Sequence, residues 1–327
     1  MTVDDVVEIL RLRGLPRAST AEPMSKHTSW RIGGPADYLC VAEDQDHLLA
    51  AVRTAVSFDI PWLVLGGGNN VLVSDRGIEG LVILNRLRGI AIEQSSEEAE
   101  GHHRLACGAG VFFAKAAQYS AKRGFTGMEW GIAIPGTVGG GVVNNAGAHS
   151  SDVAAALIDA DVLDADGESR CMLPVDLEYH YRHSLLKTPH TLQSRLVVTK
   201  CGFRIHPADA AEALNKVEEL RRHRLRTQPV KEASAGSTFT NPPGDFAGRL
   251  VEAAGLKGHR IGGAQISPLH ANFILNAGGA IATDVLALIR LARDTVFRTY
   301  GVDLQPEVQF VGRWRPEELE PVLGDAA

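Results

Sequence analysis

A glycine loop held between two apolar runs constrains the fold of this chain more than any other segment: Leu65-Gly66-Gly67-Gly68-Asn69-Asn70, followed by Val71-Leu72-Val73-Ser74-Asp75. Consecutive residues without Cβ let several backbone N–H groups converge on an anion, which is how loops cradle pyrophosphate. A dinucleotide loop of the Rossmann type opens directly into a helix in a GxGxxG frame, whereas here a strand-like run follows. A P-loop, GxxxxGK followed by Ser or Thr, is absent from the sequence. Taken alone, the segment reads equally well as a plain β-turn or as a phosphate cradle.

A second glycine segment runs from Gly131 through Ile134-Pro135-Gly136-Thr137-Val138-Gly139-Gly140-Gly141 to Asn144-Asn145-Ala146-Gly147-Ala148. Pro135 fixes a turn, and the glycines after it suit either exposed N–H groups and a flat ring against the main chain, or close helix packing through small residues. Two such loops in one domain favour a dinucleotide over a single phosphate.

The surroundings of these loops are strand-rich. Short apolar runs at 38–41, 62–65, 71–73 and 81–84 read as strands, with one helix over 44–58 between them. Val3, Val6, Val7 and Leu10 mark a short helix ended by Gly14 and Pro16, and a further helix covers 112–123 with Gly124 at its end. Strand-like runs return over 157–205, a helix leads from Pro207 to Arg226, and another runs from Thr283, as its N-cap, to Gly301. The expected fold class is α+β. The composition shift near 205–210 suggests a helical segment at 1–19, a first domain at 20–206, a second at 207–312 and a tail at 313–327.

Composition excludes several functions. The net charge of −6 makes nucleic acid a poor partner, and no run approaches the ~20 apolar residues that span a bilayer. The amino terminus lacks the pattern of a signal peptide, and the 4 cysteines, Cys40, Cys107, Cys171 and Cys201, are scattered without metal-binding spacing. A reduced, cytoplasmic protein without a metal is expected, as a monomer. His180 and His183 have no evident third ligand.

The two glycine segments resemble the FAD pyrophosphate-binding segments of the UDP-N-acetylenolpyruvoylglucosamine reductase family, whose flavin domain is of the PCMH, or vanillyl-alcohol-oxidase, type. Thr28-Ser29-Trp30-Arg31-Ile32-Gly33-Gly34-Pro35-Ala36-Asp37 is similar to the start of that domain. The resemblance continues through Tyr181-Arg182-His183-Ser184, Ala235-Gly236-Ser237-Thr238-Phe239-Thr240-Asn241-Pro242, the stretch 253–276 and Gln305-Pro306-Glu307-Val308. It covers nearly the whole chain in order. It implies a PCMH-type FAD-binding domain plus a carboxy-terminal α+β substrate-binding domain. Gly66, Gly67, Gly68, Asn69, Asn70, Pro135, Gly136, Thr137, Gly139, Gly140, Asn145, Ala146 and Gly147 are the implied cofactor contacts. No histidine or cysteine stands at a matching attachment position, so the FAD is expected to be non-covalent.

The same resemblance implies reduction of UDP-N-acetylglucosamine enolpyruvate to UDP-N-acetylmuramate in peptidoglycan precursor synthesis, with NADPH as co-substrate. Ser237 is the implied proton donor, and Arg182 and Glu307 are the groups that polarise the substrate carboxylate. Hydride added to C3 of an enolpyruvyl group leaves negative charge spread from C2 into the carboxylate, where a guanidinium with parallel donors lowers the barrier. Glu307 can assist as an acid only while protonated, a state that burial favours. Tyr181, Arg226 and Asn241 are implied substrate contacts, Arg226 as the pyrophosphate ligand of an otherwise solvated basic cluster at 221–226. The interval from Arg182 to Ser237 is too short for the inserted tyrosine loop of some members, so the chain resembles the shorter subtype. Two alternatives are another PCMH-type flavin oxidoreductase, which needs the loops but not the Arg182, Ser237 and Glu307 set, and a non-catalytic nucleotide-sugar-binding protein.

Overall fold

A computed structural model describes residues 3–94, 101–164, 166–187 and 196–323. The chain forms two compact units, each gathered from separate stretches: 1–20, 38–67 and 80–224 in the first, and 21–37, 68–79 and 225–327 in the second. The contiguous partition at 19/20, 206/207 and 312/313 differs from this division. Segments 21–37 and 68–79 pack with carboxy-terminal residues, because Trp30, Ile32 and Leu72 are buried in one apolar cluster with Phe239, Leu250 and Ile289.

The first unit is built on an antiparallel sheet in the order Ser169–Met172, Leu157–Leu163, Val197–Pro207, His103–Gly108, Ile90–Gln94, with Phe125–Thr126 pairing the end of the long strand. Helices Phe113–Ala121 and Val138–Asn144 cover it, and Phe113, Phe203, Leu105 and Val142 fill the space between. Gly124, with φ +76°, ends the helix region before it, as a residue without Cβ does most easily. Trp62–Leu65 runs parallel to Ile78–Asn85, and helix Gln45–Ser57, with Asp44 accepting from the His47 N–H, packs on that part of the unit. The amino-terminal helix Val3–Leu12 buries Val6, Val7 and Leu10 as the pattern required; the Val3 side chain lies outside the described residues.

The second unit holds helices Ala247–Ala253 and Ala282–Tyr300, a three-stranded antiparallel sheet of Arg260–Ile261, Ala264–Ile266 and Ile274–Asn276, and a parallel pair of Val71–Val73 with Gln309–Val311. Helix Ala282–Tyr300 buries Leu286, Ile289 and Val296 at helical spacing and stops at Gly301, φ +69°. Its start corrects the sequence expectation. Thr283 lies inside the first turn, and the cap comes from Asp75, whose carboxylate accepts from the Ala282 N–H (2.7 Å), the Thr283 N–H (3.0 Å) and the Thr283 hydroxyl (2.9 Å). No helix among the described residues is long and apolar enough to cross a membrane.

Candidate active site

In the first unit the two glycine segments meet. A Cβ on Gly66 would stand 2.3 Å from the Thr137 hydroxyl oxygen, so only glycine lets the first loop lie against the second segment. Arg86 donates to the Gly66 carbonyl at 2.7 Å, and its burial pulls the guanidinium below its ordinary value. After Pro135 the chain enters the helix Val138–Asn144, and here the close-packing reading applies to part of the segment. Gly139 donates to the Ala109 carbonyl at 2.9 Å and is buried against Ala109, and Gly141 abuts Phe113. Gly136 and Gly140 are the half-buried members.

Beyond that helix, Asn145 takes a left-handed conformation, φ +44°, with 4% of its surface exposed. Its Nδ2 donates to the His180 carbonyl at 2.9 Å and its Oδ1 accepts from the Ala154 N–H at 3.0 Å. Tyr181 and Arg182 form the tip of a tight turn between His180 and His183. The Arg182 guanidinium donates to the carbonyls of Asn145 (3.3 Å) and Gly147 (3.0 Å) and sits 5.0 Å from the Tyr181 ring centroid. Ser184 is fully buried and donates to Val143 at 2.6 Å, which anchors the turn. Among the described residues no group of three His, Cys, Asp or Glu side chains could hold a metal. Residues 188–195, part of the interval compared with the tyrosine-loop subtype, lie outside the described residues.

The basic cluster divides by burial. Arg221 and Arg222 pair with Glu218 on a solvated face, as its ordinary reading holds. Arg224 is half-buried, and desolvation lowers its pKa. Arg226 is exposed near the end of helix Ala210–Thr227 and belongs to the second unit.

In the second unit the serine and glutamate segments are neighbours. Phe239 bridges Pro306, the Glu307 N–H donates to the Thr238 carbonyl at 2.8 Å, and Thr240 donates to Gln305 at 2.9 Å. Gly236, φ +78°, supplies the turn that leads into Ser237. Asn272, 4% exposed, clamps the residues that follow: its carbonyl accepts from Thr238 (2.7 Å), its Oδ1 accepts from Phe239 (2.9 Å) and its Nδ2 donates back to Phe239 (2.8 Å). The glycine loop reaches the same place, because Asn70 donates to the Glu307 carbonyl at 3.2 Å and accepts from the Gln309 N–H at 3.0 Å. Gly68, φ +64°, is seated against the His27 carbonyl, where a Cβ would fall at 2.1 Å. Asn241 is exposed, and its Oδ1 accepts from Ala247 at the start of helix Ala247–Ala253.

Residues 36–171 match the family model described as an FAD binding domain, and residues 228–311 match the carboxy-terminal domain of UDP-N-acetylenolpyruvoylglucosamine reductase. A UDP-N-acetylenolpyruvoylglucosamine reductase of Symbiobacterium thermophilum is 42% identical over 311 residues, 93% of this chain and 96% of that protein. The chain belongs to the UDP-N-acetylenolpyruvoylglucosamine reductase family. A second family member, from Chloroflexus aggregans, is 43% identical over 291 residues, 89% of this chain and 96% of its own. The crystal structure of the reductase from Thermus caldophilus superposes with a TM-score of 0.72 at 33% identity, covering 90% of this chain and 98% of that one. The FAD-domain match contains both glycine segments, and the match to the reductase carboxy-terminal domain contains Ser237, Asn272 and Glu307. Sequence motifs did not single out Arg86, and they included Asn272 only within the stretch 253–276. A lone Arg or Asn carries no local signal: the Arg86 guanidinium reaches the Gly66 carbonyl, 20 residues back, and the Asn272 side chain reaches Phe239, 33 residues back.

Proposed function

We propose that this chain is an NADPH-dependent oxidoreductase that reduces UDP-N-acetylglucosamine enolpyruvate to UDP-N-acetylmuramate with bound FAD, a cytoplasmic step of peptidoglycan precursor synthesis. The observation that carries the reading is the attachment of the Glu307 segment to the Ser237 segment on one side and to Asn70 of the glycine loop on the other. The loop fits the cofactor on one further count: the buried Asn69 Oδ1 has no hydrogen-bond partner among the described residues. A buried acceptor left that way costs about 1–3 kcal/mol, and the hydroxyl and amine donors of FAD can satisfy it.

Gly66, Gly67, Gly68, Asn69, Pro135, Gly136, Thr137, Gly140, Ala146 and Gly147 would hold the FAD; Asn70, Gly139 and Asn145 leave the implied cofactor set, because the Asn70 amide donates to Glu307, the Gly139 N–H to Ala109, and the Asn145 amide is engaged by His180 and Ala154. When bound, FAD supplies the hydride, drawn from NADPH and delivered to C3 of the enolpyruvyl group. Arg182 holds the substrate carboxylate, where charge accumulates as C3 gains hydride, and its guanidinium is directed by backbone carbonyls before substrate arrives. Ser237 gives its hydroxyl proton to C2. The Glu307 backbone pairs with Thr238, the residue after Ser237, and its carboxyl stabilises the carboxylate side of the developing charge as a proton-sharing group. Tyr181, Arg226 and Asn241 are exposed contacts for the nucleotide sugar. The test is product identity. Purified protein with NADPH and the enolpyruvyl ether is expected to yield UDP-N-acetylmuramate, one H2 heavier than the substrate by mass spectrometry. NADPH oxidation without that product would point to another flavin oxidoreductase of the same fold.

A further inference from the structure

We infer that Asn145 is a positioning residue for Arg182, setting the direction in which the guanidinium meets the substrate carboxylate; the inference rests on the role given to Arg182 above. Arg182 is the second central residue of the turn closed by reciprocal hydrogen bonds between His180 and His183, both 3.1 Å. It takes φ +59°, a left-handed conformation that favours glycine and that an arginine keeps only where its surroundings over-determine it. Asn145 provides that determination from both ends. Its side chain fixes the backbone at the start of the turn through the His180 carbonyl (2.9 Å), while its own carbonyl accepts from the Arg182 Nη1 (3.3 Å). The Ala154 N–H (3.0 Å) locks the amide in one orientation, and Gly147, two residues on, accepts from Nη2 (3.0 Å).

The residue type is matched to this task. Asparagine tolerates the left-handed backbone that the end of the glycine helix requires, and it donates and accepts at once. Aspartate would keep the acceptor for Ala154 and lose the donor to His180. A hydrophobic residue would bury the His180 carbonyl without this partner. The second glycine segment therefore carries a function apart from the cofactor: it aims the arginine used in the second half-reaction.

The test separates the half-reactions by anaerobic stopped-flow absorbance on the FAD-loaded protein. Asn145→Gly keeps the backbone conformation and removes both side-chain bonds. It is expected to retain FAD and to be reduced by NADPH within about threefold of the parent rate, while reoxidation by the enolpyruvyl ether slows by roughly 30-fold or more. In an Arg182→Ala background, Asn145→Gly is expected to slow reoxidation by less than about twofold further, because the group it positions is gone. Multiplicative slowing in the double variant, or parental reoxidation in Asn145→Gly while Arg182→Ala is slow, overturns the positioning role alone. Parental reoxidation in Arg182→Ala overturns the role of Arg182 and this inference with it. Should Asn145→Gly fail to fold, Asn145→Asp is expected to show the same selective slowing, and equal slowing of both half-reactions in that variant overturns the inference.

Discussion

A serine hydroxyl is a weak acid in water, so Ser237 can serve as proton donor only as a held group. Gly236 and Asn272 hold its segment: the first turns the backbone, and the second makes three hydrogen bonds to the two residues that follow. Ser237→Ala is expected to leave reduction by NADPH intact and to slow reoxidation by the ether about 10²–10⁴-fold; equal slowing of both half-reactions would count against the proton-donor role. The cysteines give an independent check on residue environments. Cys40 and Cys107 are buried with thiols pushed up to about 12 by desolvation, Cys201 is buried with its thiol raised well above its ordinary value, and Cys171 is exposed. A chromogenic disulfide reagent should titrate one thiol in the native protein and 4 in denaturant; rapid native release of more than one would contradict these burials. Motifs in the sequence marked Ser237, Arg182 and Glu307. They could not show the left-handed Arg182, nor Asn272 and Arg86, because those features are set by partners distant in the chain.

Elements were legible where their signals are local. Gly124 and Gly301 sit after their helices where the sequence placed them, since stops act within a turn or so of their own residue, and Asp44, read as the first residue of its helix, stands one place before it as the cap. The start of helix Ala282–Tyr300 was not legible because its cap, Asp75, comes from the end of the glycine-loop motif, 207 residues from Ala282. Asp75→Ala should cost about 0.5–2 kcal/mol and lower the melting temperature by a few degrees; an unchanged melting curve would show that water replaces the cap without loss. Farther along the same helix, Arg293 donates to Asp303 at 2.6 and 2.9 Å and holds that carboxyl below its ordinary value of 3.8. A carboxyl with a depressed folded-state pKa contributes stability above its unfolded value and loses it as pH falls through the folded one. The contribution is modest because the Asp303 side chain is 46% exposed. The urea midpoint of Asp303→Asn should therefore lie below the parent's at pH 7 and converge with it only as pH falls well below the carboxyl's ordinary 3.8; a constant gap would place the effect outside this ion pair.

At the scale of the whole molecule, the α+β class and the FAD-binding type were readable from the order of the motifs, and the family match over 93% of the chain agrees. The partition was less readable. Composition changes along the sequence, whereas the units form by packing: Trp30 donates to the Ile274 carbonyl at 2.7 Å across 244 residues, and this draws an amino-terminal segment into the carboxy-terminal unit. The two proposed roles of the molecule, taking reducing equivalents from NADPH and passing them to an enolpyruvyl ether, are separable in time. Anaerobic stopped-flow absorbance near the flavin band tests both in one experiment, with NADPH added first and UDP-N-acetylglucosamine enolpyruvate second. Bleaching by NADPH is expected, followed by rapid return of the oxidised spectrum with the ether and formation of UDP-N-acetylmuramate. Flavin that bleaches but is not reoxidised by the ether would contradict the assignment, and a protein that neither contains nor binds flavin would remove its foundation.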